Sequence, residues 1–336
     1  MRALVLALSL TMPLGAFAQD RGSILADTVN AHILPGYSAL SEATEALAAT
    51  AQADCDPTST TLRTAFHTAF DDWISISHLR FGPSEAEDRA FALAFWPDTK
   101  GFTPKALTGL ISTEDTAIQS TEAFAETSVA GRGFFALELM LYDPQFSQLG
   151  SEDYRCALIQ AMAKDINLNA SAIDADWEGY AANLTSPGEA SPYRSENEAM
   201  QELYKALITG LEFTAETRLG RPMGTFDRPR PKRAEARRSE RSLRHVELSL
   251  TALRDLAARL SADHPDIATD LDDAFTAAIE RAQSLDDPAF EAVATAQGRF
   301  RIEALQQSIK DVRAIASTEL GPTLGISAGF NSLDGD

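Results

Sequence analysis

Apolar residues recur three and four positions apart along almost the whole chain, the repeat of a helix with one buried face. Leu62, Phe66, Phe70 and Trp73 make one such stripe. Leu158, Met162, Ile166, Ile173 and Trp177 make a second, and Met200, Leu203, Leu207 and Leu211 a third. Leu243, Val246, Leu250, Leu253 and Leu260 follow a near-heptad spacing. Ile267, Leu271, Phe275 and Ile279 form another stripe, and Phe300, Leu305, Ile309 and Val312 the last. No segment alternates apolar and polar residues as a half-buried strand does. The pattern predicts an all-α protein.

Boundary chemistry agrees. "DCDPTSTTL" and "SADHPDI" read as helix starts, the second with Asp263 as cap and Pro265 in the first turn. "ELGPT" reads as a stop. Three irregular segments interrupt the helices: 81–104, 185–197 and 220–233. The first is rich in aromatics and proline, so it is expected to fold over a bundle rather than hang free. Two packed helical-bundle domains follow as the expected architecture, residues 19–148 and 149–336.

Residues 1–18, "MRALVLALSLTMPLGAFA", add a compartment. A basic start, an apolar run and Ala16-Phe17-Ala18 fit a secretory signal peptide cleaved after Ala18. A retained N-terminal anchor is the alternative. No later run approaches the ~20 apolar residues of a membrane span. Export suits the two cysteines, Cys55 and Cys156, 101 positions apart. An even count in an oxidising compartment predicts one disulfide. Closing so long a loop stabilises by roughly 4–5 kcal/mol in the chain-entropy model. Two free buried thiols are the alternative. The formal charge is −20, near −21 once the leader with its single arginine is removed. Such a surface disfavours nucleic acid and anionic membrane. Against this background Arg218–Arg244 carries ten basic and three acidic residues.

One stretch poses a chemical question. "GFFALELMLYD" (133–143) places Glu138 among large apolar side chains. An ionised carboxylate there needs a partner, or its pKa rises. Either it faces a ligand or metal, or an arginine from another helix pairs with it.

The same stretch takes part in a resemblance. "FDDWISISHLRFGP" (70–83), "FWPDTKG" (95–101), "GFFALELMLYD" and the tail "LGISAGFNSLDGD" (324–336) are similar, in order and spacing, to four segments of the imelysin-like proteins of the bacterial cell envelope, some of which are labelled peptidases. The resemblance spans almost the whole mature chain. It implies an all-helical fold of two bundle-like domains, a site near their junction, a periplasmic location and a link to iron uptake through envelope components. It also implies a Gly-x-His-x-x-Glu motif at Gly133 and Glu138. Here Phe135 stands in the histidine position. Positions i and i+3 of a helix share a face, so His and Glu there could hold a divalent ion together. A phenyl ring offers no lone pair, so iron or another divalent metal is expected to bind weakly or not at all through the motif.

The remaining candidates each carry two readings. His78 is either a ligand-facing group or a helix-terminal histidine bonded to a carbonyl. His32, His67, His245 and His264 show no pair at ligand spacing within a turn; His67 and Asp71, four apart, fit a surface pair better than a metal site. Trp96 and Asp98 form a pocket lip, or else cap the core and a turn. Arg238 and Ser242 face the site, or belong to a solvated basic face. No His-Glu-x-x-His pair is present. The expectation is therefore an exported, ligand- or metal-binding component of iron acquisition, its site containing Gly133, Phe135, Glu138, His78, Trp96, Asp98, Arg238 and Ser242. A metal-dependent peptidase and a non-catalytic scaffold are the alternatives.

Overall fold

The computed structural model describes residues 21–326; the leader (1–18) and residues 327–336 of the tail motif lie outside them. Among the described residues the chain is helical, with one isolated bridge between Thr225 and Arg228 and no strand. None of these helices is long and apolar enough to cross a membrane.

The first layers are α1 (Arg21–Thr28), α2 (Leu34–Ala53) and α3 (Thr60–Ile76). A π-helical segment, Val29–Ile33, joins α1 to α2 without a break. Short helices follow: α4 (Arg89–Leu93), α5 (Phe102–Thr113), α6 (Thr121–Ala125), α7 (Gly133–Tyr142) and α8 (Pro144–Ser147). The long α9 (Glu152–Thr185) has 34 residues, about 50 Å at 1.5 Å per residue. The rest comprises α10 (Glu196–Glu212), α11 (Gly220–Met223), α12 (Ser242–Leu260), α13 (Pro265–Gln283), α14 (Ala296–Ile315) and α15 (Gly321–Thr323).

α2 packs against α3 and α9, and α9 against α7. A second group forms from α10, α12, α13 and α14, with α3 against α12 linking the two. Although α9 follows residue 148, it lies against α2 and α7, so helices from either side of that residue share one bundle. Tyr37 of α2 stacks on Trp177 of α9, ring centres 5.5 Å apart. The disulfide Cys55–Cys156 fastens the end of α2 to α9, its Cα atoms 5.1 Å apart and within the bridging range.

Local chemistry explains the boundaries. Ser59 caps α3 by accepting the Leu62 N–H. At α13 the cap position falls on His264, not Asp263, and Pro265 opens the helix. "ELGPT" does not stop α14. The chain passes through a π-helical segment, Ala316–Leu320, and one further turn, and the helical path ends at Gly325 with φ +76°. Phe300 is exposed, and Ile302 takes its place in the buried stripe of α14.

α7 is buried all round, as a helix without a polar face must be. Its first residue, Gly133, has φ +72°. A Cβ there would lie 2.2 Å from the Ala92 carbonyl oxygen and 2.4 Å from that of Leu93. The glycine of the motif is thus required by backbone contact with α4.

Candidate functional site

Where α3, α7, α10 and α12 meet, the fold leaves a cavity of about 430 Å³. Trp73, Phe81, Trp96, Phe135 and Phe213 form its apolar walls, and His78, Arg218, Glu235 and Ser249 its inner polar lining. Trp96 lies nearly parallel to Phe135, ring centres 6.0 Å apart, and meets the edge of Phe213 at 5.9 Å. A π-helical segment, Phe213–Leu219, supplies part of the wall. Such irregular turns are enriched at functional sites.

The charged lining is paired throughout. Arg218 Nε donates to Glu235 Oε2 at 2.7 Å, both side chains buried. Arg80 pairs with Glu85 at 2.5 Å, and Lys205 with Glu202 at 3.7 Å. Glu212 and Glu216 pair with Arg313 and Lys310, each at 2.8 Å. Burial would raise the Glu235 carboxyl, but Arg218 and His245 outweigh it and hold the group below its ordinary range.

The expected site residues separate into two sets. His78, Trp96 and Phe135 line the cavity. Gly133, Glu138, Asp98, Arg238 and Ser242 do not. Asp98 accepts the N–H groups of Lys100, Phe102 and Thr103, capping the start of α5. Burial opposes the charge on Asp98, but those backbone bonds prevail and lower its pKa. Arg238 pairs with Asp143, just past α7. Ser242 donates to the Glu235 carbonyl at the start of α12. Arg241 and Arg244 reach Asp71, so much of the basic segment folds onto acids of earlier helices.

Glu138 is 2% exposed, one helical turn beyond Phe135. Its partner is a serine rather than an arginine. Oε1 lies 2.9 Å from the Ser239 N–H nitrogen and 2.8 Å from Ser239 Oγ. Ser239 Oγ also lies 3.1 Å from the Ala236 carbonyl. The Ser239 hydroxyl therefore has two acceptors within reach, Glu138 Oε1 and the Ala236 carbonyl. Burial pushes the Glu138 pKa up, against the Ser239 bonds and the more distant Arg238 and His245. Ala236 (φ 43°) and Glu240 (φ 58°) are left-handed, sparsely populated backbone that shapes the turn presenting Ser239.

A divalent metal at the motif does not fit this donor set. Phe135 has no lone pair, and the Glu138 carboxyl is engaged by Ser239. Among the described residues no three His, Cys, Asp or Glu side chains gather in a metal-holding group.

Ser239, Glu235, His32 and Asp255 were not singled out from the sequence. His32 Nδ1 lies 2.7 Å from Asp255 Oδ2, and its Nε2 lies 2.9 Å from His78 Nε2. The one early signal was an imidazole inside the apolar run "AHILPGY".

An all-helical fold with a disulfide in its first bundle and an aromatic cavity beside a Gly-x-Phe-x-x-Glu helix defines the class of protein. The imelysin (peptidase M75) family model matches residues 33–316, and the chain belongs to that family. Iron-regulated protein A of Synechococcus elongatus is 24% identical over 272 residues, 74% of this chain and 70% of that protein. The crystal structure of an imelysin-like protein from Psychrobacter arcticum superposes with a TM-score of 0.76 at 19% identity. It covers 97% of this chain and 100% of that one.

Proposed function

We propose that this chain is an exported, periplasmic binding protein of iron acquisition that takes its ligand in the Trp96–Phe135–His78 cavity and works with other envelope components. Iron or another divalent ion would then arrive as cargo or within a ligand, not as a metal held by the motif. The observation that carries this reading is the cavity itself. Its charges are paired, and an aromatic ring replaces the motif histidine in its wall. Concave sites with apolar walls and a few convergent polar groups are the usual form of small-molecule sites. The leader and the Cys55–Cys156 pairing support export. The iron-regulated cyanobacterial relative supports the link to iron.

Native mass spectrometry tests the reading on protein taken from iron-starved and iron-replete cells. Wild type should carry a small-molecule adduct that Thr209→Trp, which fills the cavity, lacks. Absence of any adduct, together with peptide cleavage that disappears in Glu138→Gln, would contradict it and favour a peptidase.

A further inference from the structure

The two histidines have opposite situations. Asp255 is only part-buried, and its carboxylate also accepts from Arg259 at 3.0 Å and 3.1 Å. Burial would raise its pKa, but the His32 and Arg259 bonds win and bring it to about 2. An ionised Asp255 takes the Nδ1–H of His32. The contact between His32 Nε2 and His78 Nε2 holds one proton, carried by one ring or the other. With that proton on His78, its Nδ1 is left as a lone pair. Burial, then His32 and Arg218, push the His78 imidazole well below its ordinary value, while Asp255 acts the other way. His78 is thus neutral.

That lone pair lies in the cavity wall. His78 is 9% exposed, lines the cavity, and its Nδ1 has no hydrogen-bond partner among the described residues. Ser249 Oγ, 5% exposed on α12, lines the same cavity and is also unpartnered. Buried polar atoms are otherwise nearly always satisfied. The charged side chains around them are already paired, so among the described residues these two are the buried polar atoms of the cavity lining left without a partner.

We propose that His78, oriented by the Asp255–His32 pair, is the recognition group of this cavity for an uncharged, flat, largely apolar ligand, which donates a protic O–H or N–H to His78 Nδ1 and meets the Ser249 hydroxyl. The aromatic wall of Trp96, Phe135 and Phe213 gives the ring an apolar surface to lie against. His32 and Asp255 touch no ligand and act as positioning residues. The inference rests on the cavity being the binding site.

Two probes with the same rings separate the parts. The purified full-length chain is titrated by calorimetry with 2-naphthol and with 2-methoxynaphthalene, which lacks the protic donor. Wild type should prefer 2-naphthol by roughly tenfold, the scale of one buried hydrogen bond. The preference should fall below about threefold in His78→Leu. A measurement on wild type needs no substitution. Long-range proton–nitrogen NMR at neutral pH should show His78 uncharged with its proton on Nε2. In Asp255→Ala that tautomer should lose its dominance, an effect a merely structural role would not produce. Equal binding of both probes, a preference that survives in His78→Leu, or a proton on His78 Nδ1 would overturn the role of His78 while leaving the cavity as a ligand site. Failure of both probes to bind would overturn the cavity reading as well.

Discussion

Glu138 and Glu235 are both almost fully buried, yet the fold answers them differently. Glu235 meets the Arg218 guanidinium and stays ionised, with His245 Nδ1 3.2 Å away. Glu138 meets only neutral donors from Ser239 and is pushed towards its protonated form. The carboxyl that stood out in the sequence is held by serine donors beside the cavity, its pKa pushed up by burial. The one that drew no attention is an ion in its wall. A buried acid takes its role from the partner that another element brings, not from its own neighbours along the chain.

The largest expected effect comes from breaking the ionic side of this contrast. Arg218→Met strands the Glu235 charge, at a cost of about 3–5 kcal/mol in chemical denaturation at neutral pH. Glu235→Gln added to Arg218→Met should recover much of the loss, since no charge then remains buried alone.

Next is the anchor that sets Glu138 opposite Ser239. Gly133→Ala places a Cβ against two α4 carbonyls and forces a left-handed residue, so stability should fall by roughly 2–5 kcal/mol. A neutral result in denaturant melts would mean that α7 can shift freely.

The contrast also predicts opposite pH dependences. Glu138 has a raised folded pKa, so its contribution is fully present below the unfolded value, near 4.5, and is lost as pH rises through the folded value. Glu235 has a lowered folded pKa. Its contribution is present above the unfolded value and is lost as pH falls through the folded one. Stability measured against pH should therefore lose its downward slope above the ordinary carboxylate range in Glu138→Gln. In Glu235→Gln it should lose part of the acid-side fall. At neutral pH Glu138→Gln should lie within ~1 kcal/mol of wild type, because the amide keeps a neutral hydrogen-bonding group.

Much of the helical frame could be read from the sequence, because a buried stripe repeats locally. Leu62, Phe66 and Phe70, or Leu250 and Leu253, declare their face within two turns, and each is buried. The spacing misleads only where two apolar residues compete for one stripe, as Phe300 and Ile302 do in α14. The site is less legible because its contacts join distant positions. Ser239 reaches Glu138 across 101 positions, and Asp255 reaches His32 across 223. Phe135, Trp96 and His78 could be singled out because aromatic or ionisable side chains sit there in recognisable motifs. His32 could not, since its two partners come from α12 and from the loop after α3. The Cys55–Cys156 pair was legible for a simpler reason: two cysteines allow only one bridge within the chain.

The smallest expected effect is that of restoring the motif. Phe135→His puts an imidazole in the cavity wall, but Glu138 remains held by Ser239. Ferrous iron or zinc should therefore gain little affinity, because a single imidazole does not make a chelating set.

The central claim, that this protein works through its cavity while Glu138 is a structural acid and not a metal ligand, meets its most direct test in one calorimetric experiment. Ferrous iron and zinc are titrated into wild type and Glu138→Gln side by side. The account predicts indistinguishable isotherms, with no stoichiometric site that depends on Glu138. Tight one-to-one binding by wild type that vanishes in Glu138→Gln would contradict it.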